Sequence, residues 1–498
     1  MISRRSLKLS FFFFYSLCLL LSQIRMINFS LNFREIILDS WISARLCLAE
    51  NNLSVWVLES IVTVFRAYDV RGVYGTDLTE DLARRVGASF GSFAEGGSVS
   101  LGRDTRISGP SLEKAFLEGV LTTGCQVKSY GIIPIAVLSF ITSKMRLKAA
   151  AYISASHNPP EYNGVRFRTG DGYGLLYQES SIMKFYREGG FLSGKGRVED
   201  RSSGDAIEDY RCYVADKLHI GNPLRAVLDM GNGSACTMSS FYERLGMECS
   251  VINGTMNGLF PGRGPAPNDE SLQPACQEVR KTKADFGVGF DPDADRGIVI
   301  DDLGRVLPPE KVAIIIARRR YKRGDLVISG FDCSMMLERE LQKDGIRVVR
   351  ERVGDVFVAN RVKNENAVLG VERSGHFFLP EFQYSDDPFA MSLSIAEIIS
   401  KGEKLSSLAD EIPDYPYKQI SIRLSEDPAG VMRQLADDLA RMEPNTLDGL
   451  KITTDSYSVL IRPSNTEPIL RLYIETAAGD MAELQDRYEK IIHRAMKT

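Results

Sequence analysis

No Cys-x-x-Cys pair occurs in this 498-residue chain. Its eight cysteines are scattered, so neither a zinc site nor a disulfide framework is indicated. Free thiols in a reducing, cytoplasmic compartment are the simpler reading. There is no excess of positive charge: the net charge is −4, which argues against a nucleic-acid partner held by bulk electrostatics. No low-complexity linker interrupts the chain. Apolar residues at 44% and charged residues at 25% exclude a collagen, a disordered chain and a multi-span membrane protein. P-loop and Gly-x-Gly-x-x-Gly fingerprints are both missing, which removes the common nucleotide sites.

One further absence is local. Residues 1–61 hold neither glycine nor proline, although the chain has 42 and 20. Both tryptophans, Trp41 and Trp56, fall there. Arg4, Arg5 and Lys8 followed by Phe11 to Leu21 resemble a secretory signal. The apolar run is short for a bilayer, and no small-x-small cleavage site follows. The expectation is that residues 1–61 precede the native start. A targeting or anchor segment and a structured addition are the alternatives. At roughly 150 residues per domain, the whole length suggests about three domains.

From Val62 onward, strands alternate with helices. Ser98–Leu101, Gln126–Tyr130 and Ala149–Ile153 read as strands, with helices over 78–93, 111–121 and 135–144 between them. A second round contains the strands Arg225–Leu228 and Phe286–Phe290. A third contains Leu326–Ser329 and the segment from Val368 to Phe378. This alternation predicts largely parallel α/β sheets. The last ~90 residues read as an antiparallel α+β unit.

Three kinds of loop could carry chemistry. Asp291, Asp293 and Asp295 follow an apolar strand, and alternation along an extended segment would bring the three carboxylates to one side. Such hard oxygen donors suit Mg²⁺. An EF-hand fails, because Arg296 takes the place that needs glycine. An acidic turn remains open on these residues alone. Arg296 favours a site that also handles an anion. Ser156 is the second case. It follows a strand and precedes His157, Asn158, Pro159 and Pro160, which restrict the loop and keep the hydroxyl exposed. Neighbouring side chains in an extended loop diverge, so a Ser156–His157 pairing is not expected. A rigid turn with a capping serine remains the alternative. Third, Gly102-Arg103-Asp104-Thr105-Arg106 and Arg462-Pro463-Ser464-Asn465-Thr466 join guanidinium and hydroxyl donors that suit a phosphate.

In order, these loops resemble the α-D-phosphohexomutase family, most closely its phosphomannomutase/phosphoglucomutase branch. The resemblance runs from about Val64 to Glu475 and opens on Phe65-Arg66-Ala67-Tyr68-Asp69-Val70-Arg71-Gly72. It implies three related α/β domains with mixed sheets and a C-terminal α+β domain around a central cleft, at 62–205, 206–303, 304–408 and 409–498. By the same resemblance Ser156 carries the phosphoryl group. It joins Asp291, Asp293 and Asp295 around Mg²⁺. Glu372, Ser374 and His376 grip the sugar, and Arg462, Ser464, Asn465 and Thr466 hold its distal phosphate. Tyr68, Arg71, His157, Arg296, Arg352 and Arg471 complete the substrate site. The implied reaction interconverts hexose 1- and 6-phosphates of mannose or glucose through a hexose 1,6-bisphosphate, which also serves as activator. Glucosamine phosphate is the alternative substrate, and a silent sugar-phosphate-binding protein the remote one. The implied partners are small sugar phosphates, with no membrane, in a monomer or dimer. Two family lysines are replaced here, by Arg166 and Arg352. Arginine keeps its proton, so among the catalytic candidates Ser156, Arg71, Arg166 and His376 the proton acceptor falls to His376.

Overall fold

The computed structural model describes residues 64–178, 180–424, 428–463 and 469–496. The expectation for residues 1–61 lies outside them. Four sheets follow one another along the chain. The first comprises β1 (Asp69–Val73), β2 (Ser98–Arg103), β3 (Gln126–Ile132), β4 (Ala149–Ile153), β5 (Tyr162–Thr169) and β6 (Arg197–Asp200), in the order β1-β5-β4-β2-β3-β6. The second holds β7 (Arg225–Asp229), β8 (Glu248–Ile252), β9 (Phe286–Phe290) and β10 (Gly297–Asp301), in the order β10-β9-β7-β8. In the third, β11 (Leu326–Gly330), β12 (Arg347–Glu351), β13 (Leu369–Val371) and β14 (Phe377–Phe378) lie in the order β12-β11-β13-β14. The last holds β15 (Tyr417–Arg423), β16 (Leu450–Thr453), β17 (Tyr457–Pro463) and β18 (Ile469–Thr476), all antiparallel, in the order β15-β18-β17-β16.

The first three sheets are mixed rather than largely parallel. Each has a parallel centre and closes with an antiparallel pair: β4–β5, β9–β10 and β13–β14. The reason is connection length. A short loop can return the chain only antiparallel, whereas a parallel neighbour needs a helical crossover. In all three domains the loop at that closing pair carries the candidate chemistry: 154–161, 291–296 and 372–376.

Packing ties these domains together. One apolar cluster runs from the helix Ile135–Lys144 through the second and third sheets to the helix Leu405–Asp410. The first turn of helix Ile135–Lys144 leaves backbone donors free, and Ile135 N donates to Asp293 O at 3.0 Å. The fourth domain has its own core, built on Leu435, Leu472, Ile474 and Tyr488. Its seam with the third is small and includes Phe331, Leu460 and Tyr473. No helix among the described residues is long and apolar enough to cross a membrane.

Candidate active site

Ser156 sits at φ +50°, in the left-handed region, and is buried. That twist overturns the expectation of an extended loop with diverging side chains. Ser156 Oγ lies 3.2 Å from His157 Nδ1 and donates to Asp291 Oδ2 at 3.0 Å. Its backbone N–H donates to Ser154 Oγ at 2.8 Å. That hydroxyl itself reaches Asp104 Oδ2 at 2.8 Å and Asp293 Oδ2 at 3.1 Å. His157 is kept neutral: Arg296, burial and Arg71 hold its pKa well below the ordinary value.

The three aspartates meet by a turn, not by strand alternation. Ala294 is at φ +56°, and Ala294 N closes on Asp291 O at 3.1 Å. Asp291 Oδ1 then accepts from Asp295 N and Arg296 N, each at 3.2 Å. All three carboxylates are fully buried, and each offers an oxygen within 4.8 Å of the others. Arg166 spans their other side. Its Nη1 donates to Asp293 Oδ2 at 2.9 Å and pairs with Asp295 Oδ2, while Nη2 donates to Asp355 Oδ2 at 2.6 Å. Asp293 Oδ1 and Asp295 Oδ1 are left buried without a hydrogen-bond partner. Burial and the charges of Asp295 and Asp293 push Asp291 well above the usual carboxylate range. Burial works the same way on Asp295, but His376, Arg166 and Arg296 hold it well below that range. Two orphaned oxygens in a hard-donor trio fit a small divalent cation such as Mg²⁺.

The third loop is joined to the second. Gly297 N donates to Gly375 O at 3.1 Å, and Arg296 Nε donates to His376 Nε2 at 3.0 Å. His376 Nδ1 faces Asp386 Oδ2 at 3.2 Å. Glu372 Oε1 accepts from Gly354 N at 2.7 Å. Burial pushes its pKa up to about 7, against the pull of His376. Gly354 is at φ +143°, and a Cβ there would come within 2.8 Å of the Tyr68 ring, so glycine is needed for this approach. Tyr68 and Arg352 flank one ring: Tyr68 stands edge-on to Phe357 at 5.8 Å, and the Arg352 guanidinium lies 4.0 Å over it. Arg71 donates to Asn158 Oδ1 at 2.8 Å and pairs with Asp69, which ties β1 to the serine loop. Ser374 is exposed and, with Arg296 and Arg373, lines a cavity of about 690 Å³.

The fourth domain presents arginines. Arg462 and Arg471 are direct partners across β17 and β18, and Arg471 Nε is buried without a hydrogen-bond partner. Like charges directly opposite are unfavourable in a sheet unless an anion lies between them. Asp448 Oδ1 lies 3.0 Å from Arg462 Nε, and Asp448 Oδ2 accepts from Val353 N at 2.9 Å, which links the two domains. Ser464, Asn465 and Thr466 lie outside the described residues.

Models of the phosphoglucomutase/phosphomannomutase alpha/beta/alpha domains I, II and III match residues 62–192, 208–304 and 308–415, and the C-terminal domain matches 420–492. The chain belongs to the phosphoglucomutase/phosphomannomutase family. A phosphoglucomutase/phosphomannomutase of Thermococcus kodakarensis is 31% identical over 452 residues, 87% of this chain and 99% of that one. A Methanothermobacter thermautotrophicus protein named "Probable phosphoglucosamine mutase" is 33% identical over 430 residues, 84% and 95% of the two chains. The crystal structure of a family member from Burkholderia thailandensis superposes with a TM-score of 0.78 at 26% identity, covering 87% of this chain and 97% of that one.

One loop expected to hold phosphate does not present itself for that task in this family member. Arg103 is paired with Glu113 at 2.8 Å, and Arg106 is wholly buried, bound to the backbone of the serine loop. Sequence reasoning also missed Ser154, Asp104, Arg168, Asp355 and Asp386. Arg168 donates to Asp386 Oδ1 at 3.0 Å, behind His376. Ser154 stands two residues before Ser156 on the same loop, which is the one signal that could have found it.

Proposed function

We propose that this enzyme of the phosphohexomutase family interconverts the 1- and 6-phosphates of mannose and/or glucose through a phosphorylated Ser156. The contact between Ser156 Oγ and the Asp291 carboxylate, beside two orphaned oxygens of Asp293 and Asp295, carries this reading. A nucleophile placed on a cation site suits transfer of a dianionic phosphoryl group. Asp291, Asp293, Asp295 and Ser156 would hold Mg²⁺, which when bound offsets phosphoryl charge.

The chain's own residues supply the rest. Phospho-Ser156 gives its phosphoryl group to a free hydroxyl of a hexose monophosphate. The Oγ–P bond breaks, a bond from phosphorus to the hydroxyl oxygen forms, and the hydroxyl proton goes to His376. The hexose 1,6-bisphosphate turns round, its other phosphoryl group forms a bond to Ser156 Oγ as the sugar O–P bond breaks, and the freed sugar oxygen takes the proton back from His376. Arg166 is no proton acceptor: burial opposes its charge, but Asp295, Asp355 and Asp293 raise its pKa well above the arginine value. Its role is to hold the aspartates. Glu372 and Ser374 take sugar hydroxyls, while Arg462 and Arg471, with Ser464, Asn465 and Thr466, hold the phosphate that is not reacting. Tyr68, Arg71, His157, Arg296 and Arg352 complete the substrate site on this reading.

Phosphoglucosamine mutase is the second reading, favoured by the name of the 33%-identical relative. A coupled assay of mannose 1-, glucose 1- and glucosamine 1-phosphates with a hexose 1,6-bisphosphate activator separates the two. Turnover of the amino sugar alone overturns the mannose/glucose reading. Mass spectrometry of the Ser156 peptide tests the phosphoenzyme, and persistent absence of phosphate sinks the mechanism. His376→Ala should slow at least one direction by about 10²-fold or more. Full turnover in both directions would remove His376 as the acceptor.

A further inference from the structure

Within the serine loop two backbone hydrogen bonds form, Asn158 N to Ala155 O and Tyr162 N to Pro159 O, both at 3.1 Å. Pro159 and Pro160 donate no hydrogen bond, and Ser156 is held at a positive φ. Three of its carbonyls, and that of Tyr162 at the start of β5, turn inward to a single side chain from another loop. Arg106 Nη2 donates to Ser156 O at 2.5 Å and to Asn158 O at 2.7 Å. Nη1 donates to Pro159 O at 2.6 Å and to Tyr162 O at 2.8 Å. Nε donates to Asp104 Oδ2 at 3.1 Å. All five guanidinium hydrogens are thereby used.

The other end of the clamp is equally fixed. Asp104 Oδ1 accepts from Arg106 N at 2.9 Å, and Asp104 Oδ2 also accepts from Ser154 Oγ, the group that receives Ser156 N–H. The guanidinium is fully buried and faces the Phe260 ring at 5.2 Å. Thr105 Oγ1 donates to Asn232 O at 3.0 Å, so the clamping loop is also anchored to the second domain. Segment 104–106 is therefore a template onto which the serine loop is moulded from both sides.

We infer that Arg106 is a positioning residue for phosphoryl transfer. It fixes the backbone of 156–162 so that Ser156 Oγ stays at the Asp291 carboxylate. It touches neither substrate nor reacting atoms, and acts through Ser156. The inference rests on Ser156 as the phosphoryl carrier. Lysine cannot replace it, because an ammonium has three donors and no planar fork for four carbonyls and a carboxylate.

The test is steady-state kinetics of Arg106→Lys in the full-length, Mg²⁺-supplied enzyme, after phosphopeptide analysis of the wild type. A displaced nucleophile should lower kcat by about a hundredfold. KM for the hexose 1-phosphate should stay within about twofold, since the phosphate-holding arginines are untouched. Guanidinium chloride should restore part of the kcat of Arg106→Gly, where equal sodium chloride does not. A kcat within about threefold of wild type, or a loss confined to KM, overturns the inference. Failure of guanidinium to rescue does the same. Should Arg106→Lys not fold, Asp104→Asn is measured instead. It is expected to lose kcat at constant KM, and an unchanged kcat there overturns the inference. A wild type without phosphate on Ser156 overturns the mutase reading itself, a distinct outcome.

Discussion

Arg166 Nη1 donates to Asp293 Oδ2 at 2.9 Å, which ties the first sheet to the aspartate loop of the second. Replacing Arg166 by Met would leave buried carboxylates unpaired, at a cost of about 3–5 kcal/mol. Added Mg²⁺ should recover part of that loss, because the cation compensates the same charges. The expected outcome is a larger Mg²⁺-induced rise in melting temperature for Arg166→Met than for wild type. Equal rises would show that Arg166 and the cation do not share those carboxylates.

Ser156 is held at φ +50°, where any residue with a Cβ is strained. Ser156→Gly should therefore be more stable than Ser156→Ala by about 1 kcal/mol. Both should lack the phosphopeptide and mutase turnover. Denaturant unfolding checks the order, and a Gly variant no more stable than the Ala variant contradicts the strain.

Glu372 titrates at about 7 in the folded protein, against an ordinary value near 4.5. Between these pH values the folded state keeps a proton that the unfolded chain has released. The stabilisation is thus complete below pH 4.5 and is lost as pH rises towards 7. The span corresponds to about 3 kcal/mol. Glu372→Gln should flatten this part of the stability–pH curve. In turnover the sign reverses: an ionised carboxylate accepts sugar hydroxyls better, so KM should fall as pH rises through 7, and Glu372→Gln should remove the trend.

Arg462 faces Arg471 across two paired strands, and Arg471 Nε has no hydrogen-bond partner. Inorganic phosphate should stabilise the wild type, by about 2.7 kcal/mol at a hundred times its dissociation constant. Arg462→Ala and Arg471→Ala should each lose most of that gain and raise KM for hexose phosphates. Thermal melts with and without phosphate provide the check. A full phosphate response in both variants would place the anion elsewhere.

Much of the scaffold was legible because apolar runs are bounded by turn residues. β4 and β9 read off directly, as did the helix Ile135–Lys144. β5 did not. Its sequence, Tyr-Asn-Gly-Val-Arg-Phe-Arg-Thr, looks half-exposed, yet Asn163, Arg166 and Arg168 are buried. The partners that make this tolerable, Asp293, Asp295, Asp355 and Asp386, lie more than a hundred residues away. No local pattern reports such compensation.

The site shows the same division. Residues whose chemistry resides in the side chain, Ser156 and the three aspartates, stood out. Arg106 was misread, because its acceptors are backbone carbonyls and carbonyls have no sequence signature. The His157 contact was missed because one positive φ reverses the direction of a side chain, and a serine gives no warning of that conformation.

All three loops of the first three domains close antiparallel strand pairs whose registers end at Ile153↔Val165, Phe290↔Gly297 and Val371↔Phe377. Each loop is short and stapled at both ends, so a shift of one residue would turn a whole strand inside out. On the proposed reading, donor, cation site and sugar grip are thus all set on strand-closing loops of the same kind. If two ends of one sugar must visit the same serine, the cargo has to be turned: on the proposed reading the bisphosphate presents each end in turn to one hydroxyl.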